Sequence, residues 1–273
     1  MLPDHWQQND LIINGVSLHY CRTGNGSKPP LVLAHGFSDN GSCWLQNALD
    51  LESSYDIIMP DARGHGLSAR IQPGDQVDMA ADLAGIIHAL GLQRPIIAGH
   101  SMGAMVAFEV GVRYPDIPRA LLLEDPPWFQ PEERQAAGQP AENPMAPWVR
   151  NITTLTLDEL IAQTRAEHPT WPEWVINTWC PAKKQLDPNI LTVMNIRGID
   201  WAEKVPQLTC PTLIVTADPE RGGIVTPAIA DRVQKLNQLC TIAHIAGTGH
   251  HIHFEDYAAF MKNARAFLQT LEG

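Results

Sequence analysis

The sequence predicts an α/β protein built on a mostly parallel, eight-stranded sheet with helices on both faces. Two observations predict this class. Short apolar runs rich in β-branched residues alternate with longer segments of helical periodicity, an order typical of parallel sheets with helical crossovers. The composition, 44% hydrophobic and 18% charged residues, is ordinary for a chain that buries a real core.

Eight runs are predicted as strands. Asn14 and Gly15 join residues 11–13 to residues 16–21, which indicates a hairpin with a two-residue turn. Six further runs are almost continuously apolar, as expected of strands buried on both faces. These runs are residues 31–34, 57–59, 96–98, 120–123, 213–216 and 241–245.

Three helices follow from apolar spacing and stop signals. Residues 77–90 end at Gly91, and residues 101–114 end before Pro115; glycine and proline both favour helix ends at such positions. Residues 257–271 form a third, amphipathic helix near the end of the chain.

Residues 126–205 interrupt the alternation of strands and helices. They contain ten prolines and six of the eight tryptophans, but no convincing strand. Short helices are predicted over residues 156–167, 173–179 and 188–197. We therefore expect a core of residues 1–125 and 206–273, with residues 126–205 inserted after strand 6 as a helical cap over the end of the sheet.

The net charge of −11 comes without any basic cluster, which argues against nucleic acid or an anionic membrane as a partner. No apolar run approaches the roughly 20 residues of a membrane span. The first residues lack the features of a secretory signal, and the five cysteines are scattered, as free thiols in a reducing compartment would be. We expect a cytoplasmic protein whose partner is a small-molecule substrate.

The central motif is a G-x-S-x-G that lies directly after an apolar run and directly before a helix, at residues 99–103. A serine hydroxyl is a poor nucleophile unless it is exposed, oriented and adjacent to a base. A tight turn from strand to helix exposes it at the carboxyl edge of the sheet, and the positive end of the helix points at the site. Ser101 is the predicted nucleophile.

Three further motifs stand in order around this turn. They are an apolar strand followed by His35 and Gly36, the D-x-R-G-x-G-x-S turn of residues 61–68, and the G-x-G-H loop of residues 247–250. With these motifs the chain resembles the α/β-hydrolase superfamily over nearly its whole length. The resemblance implies the α/β-hydrolase fold and a serine hydrolase activity.

The resemblance also implies a catalytic triad. His250 is expected to be the general base that takes the proton of Ser101, with His251 and His253 as close rivals.

Asp218, just after the strand at residues 213–216, stands where the family usually places the acid, and the order Ser101, Asp218, His250 is that of the family. Some members take the acid from the preceding strand instead, where Glu124 and Asp125 lie; Asp125 is the alternative acid.

Two backbone N–H groups are expected to stabilise the oxyanion of the tetrahedral intermediate. They belong to Met102, at the start of the helix after Ser101, and to Phe37, after His35 and Gly36. No histidine shows a metal-binding spacing such as H-E-x-x-H. The chemistry needs neither a metal nor a cofactor.

Neighbouring residues narrow the reaction class. In the superfamily that the chain resembles, dehalogenases and epoxide hydrolases carry an aspartate at the position of Ser101. Its carbon–carbon hydrolases usually have an aromatic residue where His251 stands, and its perhydrolases typically have a proline where Ser38 stands, so the resemblance makes these classes less favoured. We expect an esterase or lactonase acting on a medium-to-large, mostly apolar small molecule, with Trp128 in the substrate pocket. The alternatives are a small-molecule receptor of the same fold with little turnover, or a carbon–carbon bond hydrolase or perhydrolase.

Overall fold

A computed structural model describes residues 2–72, 74–129, 143–193 and 199–271. Its single eight-stranded sheet has the order β1-β2-β4-β3-β5-β6-β7-β8. Strand β2 pairs antiparallel with both of its neighbours, and the other neighbouring strands are parallel, so the predicted fold class is confirmed. The strands are β1 (Gln7–Ile13), β2 (Val16–Arg22), β3 (Pro30–Ala34), β4 (Asp56–Pro60), β5 (Ile96–His100), β6 (Ala120–Glu124), β7 (Thr212–Thr216) and β8 (Cys240–His244).

Helices follow most of the strands. Within the described residues, the chain between β6 and β7 forms helices but no strand. The helices are α1 (Leu45–Leu51), α2 (Met79–Ala89), α3 (Met102–Arg113), α4 (Ala146–Thr154), α5 (Leu157–Glu167), α6 (Glu173–Lys184), α7 (Ile190–Val193), α8 (Trp201–Lys204), α9 (Pro227–Leu236), α10 (Ile252–Glu255) and α11 (Tyr257–Thr270).

The hairpin of β1 and β2 turns at the two residues that the sequence indicated. Asn14 and Gly15 both have positive φ, 50° and 81°, and Ile13 pairs with Val16 across the turn. A two-residue turn with two positive φ angles matches the twist of the flanking strands, and asparagine followed by glycine adopts it readily.

The sheet separates two hydrophobic cores. Alternate residues of β3 show this: Leu31 and Leu33 belong to one core, and Val32 belongs to the other. Helices α1 and α11 pack on the first core together with α4 to α6, whereas α2, α3 and α9 pack on the second. Strands β3 to β7 are almost wholly buried and mostly apolar because both of their faces are covered.

Helices in the segment between β6 and β7 differ in length from the sequence prediction. Helix α6 continues to Lys184 through Pro181, although proline removes a hydrogen bond from a helix interior. The buried side chains of Trp179 and Ala182 keep both sides of the proline packed. Of the helix predicted over residues 188–197, the structure describes residues 190–193 as helical, and residues 194–197 lie outside the described residues. The division into core and cap stays a prediction.

Candidate active site

Ser101 lies at a strained turn between β5 and α3. Its φ of 51° and ψ of −115° are unusual for a residue with a side chain, and such strain concentrates at functional sites. The Ser101 N–H donates to the Glu124 carbonyl of the next strand, which holds the turn against the sheet. The hydroxyl is thereby presented at the carboxyl edge.

Two glycines make this turn sterically possible. A Cβ at Gly99 would lie 2.4 Å from the carbonyl oxygen of Gly103, and a Cβ at Gly103 would lie 2.2 Å from that of Ala34. Any side chain at either position would push α3 away from β5 or from β3. The glycines therefore bring the end of β3 and the first turn of α3 together.

His250 connects Ser101 to a carboxylate. Its Nε2 lies 2.9 Å from the Ser101 Oγ, and its Nδ1 lies 2.6 Å from an Asp125 oxygen. With a proton on Nδ1, the ring donates to Asp125 and accepts from the Ser101 hydroxyl. Serine, imidazole and carboxylate thus form one continuous hydrogen-bonded chain, the arrangement of a nucleophile with its base and the group that orients the base.

Asp125 is buried and held by backbone N–H groups. Ile224 N–H donates to both carboxylate oxygens, at 3.0 and 2.9 Å, and Val225 N–H donates to one at 2.9 Å. These hydrogen bonds fix the position of the carboxylate. The residue has a φ of 42°, so the backbone turns sharply at the end of β6 and aims the carboxylate at His250.

The expectation that Asp218 pairs with His250 is wrong. Asp218 instead accepts from Gly247 N–H at 2.7 Å, and it lies 2.9 Å from the Nε2 of His244. Its own N–H donates to the Thr248 carbonyl. Asp218 therefore fastens the G-x-G-H loop, while the alternative acid, Asp125, reaches the imidazole.

The two predicted oxyanion donors flank the point where β3 meets α3. Met102 is the first residue of α3, and the first N–H groups of a helix have no partner within it. Phe37 follows Gly36, where a Cβ would lie 2.6 Å from the Nδ1 of His100. The close approach of residues 34–36 to the turn brings the loop of Phe37 to the base of α3. Their role as oxyanion donors stays a prediction.

His100 and the pair of Glu124 and His253 surround the triad. His100 donates from Nε2 to the His250 carbonyl at 2.9 Å, and burial lowers its pKa to about 3, so it stays uncharged. Glu124 accepts from the backbone and from the ring Nδ1 of His253, at 2.9 and 2.8 Å. His253 was a rival for the base, but it is buried against Trp44 at a ring distance of 4.4 Å and supports the loop of His250.

His251, the other rival, does not reach Ser101 through a hydrogen bond that the structure describes. Its ring lies 5.4 Å from that of Trp171 and stacks at 6.0 Å on Phe254. Burial holds its pKa well below the usual value. His251 is therefore a neutral, packed ring beside the triad.

Trp128 is not in a substrate pocket. Its side chain is 0% exposed and packs between Phe108, at 5.0 Å, and Trp201, at 5.7 Å, in the core that also holds α3.

Two other tryptophans contact residues beside Ser101 and His250. Trp148 lies 6.2 Å from Phe37, and Trp171 contacts His251. Sequence spacing does not separate these tryptophans, because which face each one takes depends on the tertiary packing.

Among the described residues, no three histidine, cysteine or acidic side chains are grouped as a metal site would require. No helix in this part of the chain is long and apolar enough to cross a membrane.

Known proteins are similar to this chain in sequence and in fold. Residues 31–262 match the model of the alpha/beta hydrolase family, and the chain belongs to that family. It is 28% identical to N-formylmaleamate deformylase of Pseudomonas putida over 93% of this chain and 94% of that protein.

Solved structures are similar over almost the whole chain. The E-2-(acetamidomethylene)succinate hydrolase structure superposes with a TM-score of 0.78 at 21% identity, over 97% of this chain and 100% of that one. A thermophilic esterase from Thermogutta terrifontis, solved with malate bound, gives a TM-score of 0.73 at 25% identity over 98% of this chain and 100% of the esterase.

Proposed function

We propose that this protein is a serine hydrolase that cleaves a carboxylic ester or lactone through an acyl-enzyme on Ser101. The observation that carries the proposal is the hydrogen-bonded chain from the Ser101 Oγ through His250 to the buried carboxylate of Asp125. Each member has a defined task, and the strained backbone at Ser101 and Asp125 is the kind of cost that a working site maintains.

The reaction begins when Ser101 attacks the substrate carbonyl and His250 takes the hydroxyl proton at Nε2. Asp125 stabilises the imidazolium from the Nδ1 side. The oxyanion of the tetrahedral intermediate accepts hydrogen bonds from the N–H groups of Met102 and Phe37. His250 then gives its proton to the leaving alcohol, and a water activated by the same imidazole hydrolyses the acyl-enzyme.

The substrate is proposed to be a medium-to-large, mostly apolar small molecule. The rings of Phe37 and Trp148, both only partly buried, lie 6.2 Å apart beside the predicted oxyanion loop. Aromatic faces favour apolar groups of an acyl or alcohol moiety. The similarity to a thermophilic esterase agrees with ester hydrolysis.

Hydrolysis of an N-acyl bond is a second candidate. It is favoured by the similarity to N-formylmaleamate deformylase, which extends over 93% of this chain. The same triad serves either reaction, since both pass through an acyl-enzyme and an oxyanion. They differ in the leaving group that His250 protonates, which is an alcohol in an ester and an amine in an amide.

A substrate screen decides between the candidates. The purified protein is assayed with para-nitrophenyl esters from acetate to dodecanoate, with lactones of increasing ring size, and with N-formyl and N-acetyl amides. The control is Ser101→Ala, for which we expect a loss of about 10⁴-fold or more in kcat. Labelling of the wild type by a fluorophosphonate probe counts the active sites.

Ser101-dependent turnover of bulky esters or lactones above short acetates supports the proposal. Preference for the amides supports the second candidate. Tight ligand binding with no Ser101-dependent turnover of any class would contradict both, and would indicate a receptor of the same fold.

A further inference from the structure

A buried ion pair lies next to the predicted oxyanion loop and outside the triad. Lys183, in the last turn of α6, bonds through Nζ to Asp39 in the loop after β3. The two side chains are 1% and 2% exposed. The pair thus joins the helical segment between β6 and β7 to the loop that carries Phe37.

Asp39 also determines the shape of that loop. Its N–H donates to the Gly36 carbonyl at 3.1 Å, and its Oδ2 lies 3.3 Å from the position that a Cβ on Gly36 would take. Between them, Ser38 has a φ of 67°. Phe37 is therefore inside a tight, strained turn whose two ends are tied together by Asp39.

Lys183 is oriented from the other side. Its ammonium lies 4.0 Å from the centre of the Trp179 ring, one turn earlier on α6, which restricts the side chain to the direction of Asp39. A second bond runs in parallel, from the Asn40 side-chain amide to the Gln185 side-chain oxygen at 2.7 Å. The end of α6 is thus fixed to both residues that follow Ser38.

A buried ion pair is a poor way to gain stability alone, because desolvation of the two charges offsets their attraction and apolar replacements often do as well. Such pairs are better suited to fixing one geometry. The oxyanion donors need a fixed geometry, since their effect depends on hydrogen bonds aimed at a developing charge.

We propose that Lys183 and Asp39 are positioning residues for the oxyanion hole, which hold the Phe37 N–H in the direction of the tetrahedral intermediate. The proposal rests on the proposed function, because it assumes acyl transfer at Ser101. It makes α6 part of the catalytic arrangement and not only a cover of the substrate.

The test compares Lys183→Met and Asp39→Asn with the wild type on the best para-nitrophenyl ester. Rates are divided by the active sites that the fluorophosphonate probe labels at completion, so that unfolded protein does not count. We expect kcat to fall about 10²-fold, as for loss of one oxyanion donor, with KM within about threefold because ground-state binding is retained. Inhibition by phenylboronic acid, whose tetrahedral adduct occupies the oxyanion hole, should weaken in parallel with kcat.

Two controls keep the result interpretable. Arg165→Ala removes the exposed pair of Arg165 and Glu173 in the same segment, and it should leave kcat, KM and phenylboronic acid affinity unchanged. The double variant Lys183→Met with Asp39→Asn leaves no unpaired buried charge, so it should fold better than either single variant and still show the low kcat.

Wild-type kcat per active site in the double variant would overturn the proposal, and so would a loss of kcat without weaker phenylboronic acid binding. Neither outcome touches the proposed function, which the Ser101→Ala control and the substrate screen test separately.

Discussion

Asp125 and Asp218 differ in whether their carboxylate contacts the imidazole of His250. Asp125 Oδ2 lies 2.6 Å from His250, whereas Asp218 bonds to Gly247 and His244. In Asp125→Asn the side-chain oxygen still accepts from Ile224, but the amide places a donor against the ring Nδ1. The imidazole then takes the wrong tautomer, and we expect kcat to fall by about 10⁴-fold.

Asp218→Asn is the matched variant, because its oxygen still accepts from Gly247 N–H and the tautomer of His250 is unaffected. We expect it to keep most of the activity. The measurement is kcat per fluorophosphonate-labelled site for both variants at neutral pH. Equal losses in the two variants, or a larger loss in Asp218→Asn, would contradict the assignment of Asp125.

The choice between the two acids could not be made from the sequence. They follow β6 and β7, which are neighbouring parallel strands, so both stand at the same edge of the sheet. The difference is in the backbone: Asp125 has a φ of 42°, and Asp218 has a φ of −71°. Ser101 and His250 were predictable because each stands in a local motif whose glycines fix the turn, and no such motif identifies the acid.

At the scale of elements, Asp78 connects two helices on one face of the sheet. Its carboxylate accepts from Ala81 N–H at the start of α2 and forms an ion pair with Arg113 in the last turn of α3. The Arg113 guanidinium lowers the pKa of Asp78 from its ordinary 3.8 to about 2. The folded state therefore favours the ionised carboxylate.

Asp78→Asn keeps the helix cap and removes the charge. At neutral pH we expect a loss of about 0.5 kcal/mol in unfolding free energy, a typical value for a partly exposed pair. Since the pKa is depressed in the folded state, the stabilisation is present above pH about 4 and disappears as the pH falls towards 2. Asp78→Ala should cost about 1 kcal/mol more because the cap is lost too.

Urea unfolding of the three proteins at pH 7 and pH 3 measures these differences. The gap between wild type and Asp78→Asn should narrow at the lower pH, while the additional loss in Asp78→Ala should remain. A gap that stays constant between the two pH values would show that the charge of Asp78 does not contribute.

Element boundaries follow the sequence where local signals decide them. Helix α2 spans Met79–Ala89 inside the predicted residues 77–90, and the hairpin turn has its expected residues. Larger departures occur at β1, which begins at Gln7 and not at residue 11, and at α6. Helix α6 was predicted to end at residue 179, but the burial of Trp179 and Ala182 and the ion pair of Lys183 extend it to Lys184. The contacts that extend α6 are made with the loop after β3 and with the packed core, and the local sequence does not encode them.

At the scale of the whole molecule, the sheet was predictable and the role of the tryptophans was not. Continuous apolar runs predict strands with two covered faces, but a tryptophan between β6 and β7 can pack in either core or beside the site. Trp201 and Trp128 stack on each other in the core of α3, and Trp201 donates from Nε1 to the Phe129 carbonyl at 3.0 Å. Together they fasten the start and the end of the segment to the same face of the sheet.

Because of this packing, we expect substitutions of Trp128 and Trp148 to have different effects, although the sequence alone does not distinguish the two residues. Trp128→Leu leaves a cavity beside Phe108 and Trp201, so we expect a loss of about 2–4 kcal/mol in unfolding free energy. KM should stay unchanged, because the side chain is 0% exposed. Trp148→Leu alters a half-buried ring beside Phe37, so it should change KM and the preference for bulky esters with only a small loss of stability. Urea unfolding measures the losses of stability, and the ester series measures KM. A raised KM in Trp128→Leu together with a wild-type KM in Trp148→Leu would contradict this prediction. It would mean that the segment between β6 and β7 presents Trp128, and not Trp148, to the substrate.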